Sequence, residues 1–129
     1  MAGIITERID DGRYSLEAVA IDSSGGVSIY LGGGEKPHIG TVAVSQPRPS
    51  LSGDGTISCT TSVFNLLHHK DDKLAVPLAE MLCRALNQVV VVTAGIHIEQ
   101  ATSQEIMKFY ENADMIGRKI LGRLKRSQE

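Results

Sequence analysis

Tryptophan is absent from this 129-residue chain, and Phe and Tyr together supply only five residues. A single-strand nucleic-acid binder stacks bases on aromatic side chains, so that class has little to work with. A basic excess is missing too: 13 Lys and Arg stand against 15 Asp and Glu, a formal net charge of −2. Phosphate neutralisation needs the opposite balance. The one basic cluster, Arg118 to Arg126, closes a helical pattern, where cations complement the helix dipole without any partner. Nucleic acid is therefore not an expected ligand.

Cysteine is scarce. Cys59 and Cys83 form no CxxC pair and show no metal-ligand spacing. Both fall on apolar faces and read as small core residues in a reducing compartment. Long apolar runs are lacking as well: the longest, around "VVVVTAGIHI", is about half of what a membrane helix needs. The opening "MAGIITERIDDGR" turns acidic too early for a secretory leader. The expectation is a cytoplasmic protein, away from membranes, with one domain over residues 1–129. Residues 1–12 read as a flexible lead-in and 13–125 as the folded part, a length that suits one core and not two.

What is present is punctuated alternation. "RYSLEAVAI" (13–21) mixes apolar and polar residues in strand style, and "DSSGG" supplies a turn. "VSIYL" sets Val27, Ile29 and Leu31 against Ser28 and Tyr30. "HIGTVAVSQ" follows the loop "GGGEKP", and "TISCTTSVF" follows "PRPSLSGDG". From Leu74 the period changes. Leu74, Leu78, Met81, Leu82, Ala85 and Leu86 recur at helical spacing. Pro77 requires the helix to begin at Asp72 or later, because a missing N–H is tolerated in the first turn. "QVVVVTAGI" is a continuous apolar run, the pattern of a strand buried on both faces. "TSQE" at Thr102 to Glu105 is a capping box, and Ile106, Phe109, Ala113, Ile116, Ile120 and Leu124 form the stripe of a long last helix.

The order ββββαβα defines an α+β class, an α/β two-layer sandwich. The expected sheet is an antiparallel four-strand meander plus one parallel strand, with two helices on one face. Direction then matters. If the second strand rises, the loop Gly32–Pro37 is at the top, the third strand descends and the fourth rises to deliver "HHKDD", His68 to Asp72. The first helix descends and the fifth strand rises, so "GIHIEQ", Gly95 to Gln100, also ends at the top. Three distant segments thereby share one sheet edge with both helix N-termini, a common place for ligands.

The candidate binding residues at that edge are Gly33, Gly34, His38, His69, Lys70, Asp71 and His97. The glycines, lacking Cβ, would let backbone amides approach an anion, and the histidines with Lys70 and Asp71 would form the rim. Each element also has a structural reading as a turn, a helix opening or a hydrogen-bonded strand histidine. Three histidines could hold zinc, but no HxH, HExxH or i,i+4 pair is present. His69 with Asp71 is stock for acid–base chemistry, yet no GxSxG, GxGxxG or Walker pattern accompanies it. From the residues alone, the reading ends at a small α/β protein with a polar pocket at one sheet edge.

Three segments carry a resemblance. "PHIG" entering a strand, "HKDD" before the first helix and "VVVVTAGIHIEQATSQEI" before the last occur here in the order seen in one family. From about Val27 to Met115 the chain resembles the small prenylated-flavin chaperones, the LpdD-like D proteins associated with UbiD-type decarboxylases. Leu67 and His68 stand where that family commonly has a Pro-Gly pair. The resemblance implies a non-catalytic protein that binds reduced prenylated FMN, or FMN itself, and delivers it to an apo UbiD-type decarboxylase. A flavin prenyltransferase would be a further partner, and a homodimer or higher homo-oligomer would close the site. The alternative is a small accessory decarboxylase subunit or lyase with His69 and Asp71 as its acid–base pair.

Overall fold

Period-two alternation makes strands that are buried on one face. In Leu16–Ser23, Leu16, Ala18 and Ala20 are buried while Glu17, Val19 and Ile21 are exposed. A computed structural model describes residues 3–66 and 71–127. Its strands are β1 Gly3–Ile9, β2 Leu16–Ser23, β3 Gly26–Gly34, β4 Thr41–Pro49, β5 Ile57–Asn65 and β6 Val90–His97. The helices are α1 Asp72–Leu86 and α2 Ser103–Ser127. The class is α+β as expected: a six-stranded mixed sheet with two helices.

Two details differ from the sequence reading. The expected lead-in contains β1, which pairs antiparallel with β2. Its Ile5 is buried in the core, and Arg123 of α2 donates to the Thr6 carbonyl at 2.9 Å. A short edge strand of this kind leaves little signal in the sequence. The meander is also broken. The strand order is β1-β2-β3-β6-β4-β5, with β6 parallel to β3 and antiparallel to β4. The reason is burial: Val90, Val92 and Ala94 are fully inaccessible, and a central slot buries the most apolar strand best. The connection from Glu35 to Gly40 makes room for it, since it must cross two strand spacings of about 4.8 Å each.

Both helices lie on the same side of the sheet. α1 packs over β4, β5 and β6, α2 packs over β1 and β2, and the two helices touch. Their apolar stripes meet the sheet through Leu78, Leu82, Phe109, Ile116 and Ile120. At Gly117 an added Cβ would press on Leu78 and Met81, so this glycine sets the closeness of the two helices. α1 begins at Asp72, as Pro77 was expected to require, yet Pro77 falls in its second turn. The Lys73 carbonyl four residues back therefore receives no helical N–H from it. Asn87, with φ of 53°, closes α1 in the left-handed conformation and donates its N–H to the Cys83 carbonyl. Inserting β6 does not disturb strand direction. β3, β5 and β6 all run the same way, so their C-terminal ends, the start of β4 and both helix N-termini share one edge.

Candidate functional site

Asp71 is the junction of that edge. Its side chain is 11% exposed. One carboxylate oxygen accepts the Ile96 N–H at 3.3 Å, and the other lies 3.6 Å from His38 Nε2. Its own N–H donates to Thr41 Oγ1 at 3.0 Å, and that hydroxyl donates to Asn65 Oδ1 at 2.6 Å. The start of α1, the end of β6, the start of β4 and the end of β5 are thus tied through one residue. His38 is held from its other side, where Nδ1 faces the Lys36 carbonyl at 2.9 Å. A carbonyl only accepts, so Nδ1 carries the proton and Nε2 is the nitrogen turned to Asp71.

The expected glycine cradle takes another form. Gly33 pairs with Leu16 on one side and Ile96 on the other. Gly34 has φ of 73° and donates its N–H to the Ser15 carbonyl at 3.1 Å. The next two amides, of Glu35 and Lys36, both point at the His97 carbonyl. A Cβ on Gly34 would meet that same carbonyl, and one on Gly95 would meet the carbonyl and ring of His38. These glycines let the chain pack closely; the Gly34 amide and its neighbours are already used by protein acceptors.

A frame of charge surrounds the edge. Arg13 donates to Glu105 Oε2 and to the Glu99 carbonyl, each at 3.0 Å, and approaches Glu35 at 3.5 Å. Glu35 also accepts the Glu99 N–H at 3.1 Å. The capping box forms as read from the sequence: the Thr102 N–H donates to Glu105 and the Glu105 N–H to Thr102 Oγ1, both at 3.1 Å. The Thr102 amide, followed by the Tyr14 hydroxyl and Arg13, lowers the pKa of the Glu105 carboxyl. The hydrogen bond to Glu105 in turn raises the pKa of the Tyr14 phenol. His97 donates to Glu99 at 3.2 Å, and that bond, with the charges of His97 and Lys36, holds Glu99 below the usual carboxylate value.

Between α1 and α2, just below this frame, lies a cavity of about 220 Å³. Asp71, Lys73 and His97 supply its polar lining, and Ile96, Ile98, Ile106, Phe109 and Tyr110 supply an apolar wall. It shares Lys73, Leu74 and Tyr110 with a groove of about 290 Å³ that runs between the helices past Pro77, Leu78 and Met81. Of the residues expected from the sequence, Asp71 and His97 line the cavity and His38 backs Asp71. Gly33 and Gly34 line a smaller hollow with Arg8 and Pro37. His69 and Lys70 lie outside the described residues. Lys73, Phe109 and Tyr110 were missed. Phe109 was read as core alone, although Tyr110 sits one turn after Ile106 and so shares its edge of α2. Among the described residues no group of His, Cys, Asp and Glu could hold a metal ion. No helix of the described residues is long and apolar enough to cross a membrane.

A single α+β layer pair with an apolar, rimmed pocket at one sheet edge fits a small binding protein, and comparison makes the class specific. The sequence profile of the prenylated flavin chaperone LpdD-like domain matches residues 10–125. The chain belongs to that family of prenylated flavin chaperones. No curated protein matches it. Among solved structures, it is similar in fold to a chain of a chaperone complex for yeast 20S proteasome assembly. That match has 17% identity and a TM-score of 0.61, and covers 97% of this chain and 96% of the other.

Proposed function

We propose that this protein binds reduced prenylated FMN at the α1–β6–α2 edge and delivers it to an apo UbiD-type decarboxylase. The observation that carries the reading is the cavity beside Asp71 in a chain of the prenylated flavin chaperone family. Its chemistry suits a flavin. Ile96, Ile98, Ile106 and Phe109 offer an apolar wall to a ring system, and the Tyr110 ring continues it. Lys73 and the first-turn amides of α1, which no side chain caps, suit a phosphate. His38, Asp71 and His97 supply polar atoms at the ring edge, and His69 and Lys70 precede Asp71 directly in sequence. Gly33 and Gly34 keep the β3 end close enough for this rim to form. The protein acts as a non-catalytic carrier in the cytoplasm, receives its cargo from a flavin prenyltransferase, and works as a homodimer or higher homo-oligomer.

Size supports a carrier with an open mouth. About 220 Å³ is below the range of roughly 300–1,000 Å³ typical for enclosed ligand sites. The ring enters the cavity while the remainder extends along the helix groove and stays reachable by a receiving enzyme. The test is anaerobic titration with reduced prenylated FMN and with reduced FMN, followed by mixing with an apo-decarboxylase. The expected result is preference for the prenylated form and faster recovery of decarboxylase activity than with free cofactor. Tyr110→Ala and Lys73→Glu should each weaken binding at least tenfold while leaving the fold intact. Equal affinity for both flavins would sink the dedicated role. Decarboxylation by the isolated protein would favour the enzyme reading with His69 and Asp71.

A further inference from the structure

Among the described residues, the sheet leaves three stretches of strand without a neighbour, and two of them are blocked. At β1, Arg123 of α2 donates to the Thr6 carbonyl at 2.9 Å, and Glu7 and Arg8 put charge on the strand. At β4, pairing with β6 stops at Ser45 and leaves Gln46 to Pro49 open on that side. Pro47 and Pro49 fall there and offer no N–H to a foreign strand. Both are usual ways of protecting an edge. β5 has neither. Its nine residues contain no Pro, Gly or charged side chain, and their register with β4 is unbroken. Antiparallel ladders bond at every second pair. Pro47 and Pro49 face Cys59 and Ile57 and cannot donate, so the bonded pairs are the alternate ones, from Arg48 with Ser58 to Val42 with Phe64. The N–H and C=O groups of Ile57, Cys59, Thr61, Val63 and Asn65 therefore point outward. No described residue meets them.

We infer that β5 is a docking edge for an extended segment of a partner protein, which adds as a seventh strand. The side chains beside the edge define what that segment carries. On the helical side, Thr61 donates to Glu80 Oε2 at 2.6 Å, and no described cation pairs with that carboxylate. The position opposite Thr61 thus suits Lys or Arg. On the other side Arg48 donates to Thr60 Oγ1 at 3.0 Å, so the adjacent position suits Asp or Glu. Val63 and Phe64, 44% and 67% exposed on opposite sides of the strand, suit apolar residues. A second copy of this chain fits poorly. β5 paired with itself about Thr61 would bring two Glu80 carboxylates together, and like charges opposed across strands destabilise. α1 separates this edge from the cavity between the helices. Docking leaves the mouth by Asp71 open, and the inference stands without any flavin.

The probe is the end-capped peptide Thr-Val-Val-Thr-Lys-Glu-Thr, which in antiparallel register sets its Lys opposite Thr61 and its Glu opposite Thr60. Amide hydrogen exchange, read by NMR on the intact protein, locates the contact. The amides of Cys59, Thr61, Val63 and Asn65 should exchange quickly in the protein alone and slow at least tenfold with millimolar peptide. Those of Thr60, Ser62 and Phe64, already bonded to β4, should not change. Exchanging Lys and Glu within the peptide should weaken binding several-fold. Val63→Pro removes an outward N–H and should abolish the protection. Should that variant fail to fold, Glu80→Lys, which leaves β5 itself unaltered, should reverse the preference between the two peptides. No protection at saturating peptide, or protection that spares β5, would overturn the docking edge. Outward amides already protected in the protein alone, more so at higher protein concentration, would give the edge to a second copy and overturn the partner assigned here.

Discussion

At the scale of single residues, Asp71 has the largest structural role of any polar group at the edge. Its carboxylate gives the Ile96 N–H its acceptor and faces His38. Removing that acceptor leaves a part-buried amide without a partner, which costs about 1–3 kcal/mol. Asp71→Ala should therefore lower the urea midpoint by a corresponding amount. Asp71→Asn, which keeps an oxygen, should lower it less. Equal losses for both variants would show that the charge opposite His38 matters more than the hydrogen bond. The sequence placed Asp71, His38 and His97 at one edge because strand direction is readable from turn positions. It did not show which groups face the cavity, since that depends on how the two helices meet. Gly34 and Gly95 illustrate the limit: a bare backbone reads equally as a ligand cradle or as close chain packing, and here carbonyls of the protein occupy the space.

At the scale of elements, the start of α2 is a pH-sensitive joint. Glu105 has its pKa lowered from 4.5, first by the Thr102 amide and further by Tyr14 and Arg13. A lowered carboxylate contributes stability that is complete above its ordinary value and lost as pH falls through the folded value. Tyr14 has its pKa raised from 10.0 by its hydrogen bond to Glu105. Its contribution is complete below that value and lost as pH rises through the folded one. Urea unfolding followed across pH should show both limbs. Glu105→Gln should flatten the acid limb, and Tyr14→Phe should flatten the alkaline limb. A Tyr14→Phe variant with an unchanged alkaline limb would mean that the phenol bond does not couple the turn before β2 to α2. The capping box itself was legible because it is local, four residues whose hydrogen bonds close on each other. Its link to Tyr14 and Arg13, some ninety positions away, was not.

At the scale of the molecule, the class and both helices were legible, and so was the direction of the strands inferred for the site. Strand order was not. Alternation says which face of a strand is buried, while neighbours in the sheet are chosen by which strand needs the centre. β1 was missed for a related reason: it is short, lies at an edge and is half exposed. Its contribution is nevertheless structural, through Ile5 in the core and Arg123 on the Thr6 carbonyl. Deleting residues 1–9 should lower the thermal midpoint by several degrees and make the protein prone to association along β2, whose edge would be bare. An unchanged midpoint in differential scanning calorimetry would return this segment to a lead-in.

The central position of β6 also fixes an order in time. During synthesis, β1, β2 and β3 emerge first, then the β4–β5 hairpin, and the strand that joins these two half-sheets comes only with residues 90–97. Until then β3 and β4 each present an unpaired edge, the kind of template on which neighbouring chains aggregate. When β6 arrives it pairs on both sides, Val92 with Ile29 and with Ala43. Two open edges disappear in one step, so the nascent chain is vulnerable up to that step and protected immediately after it.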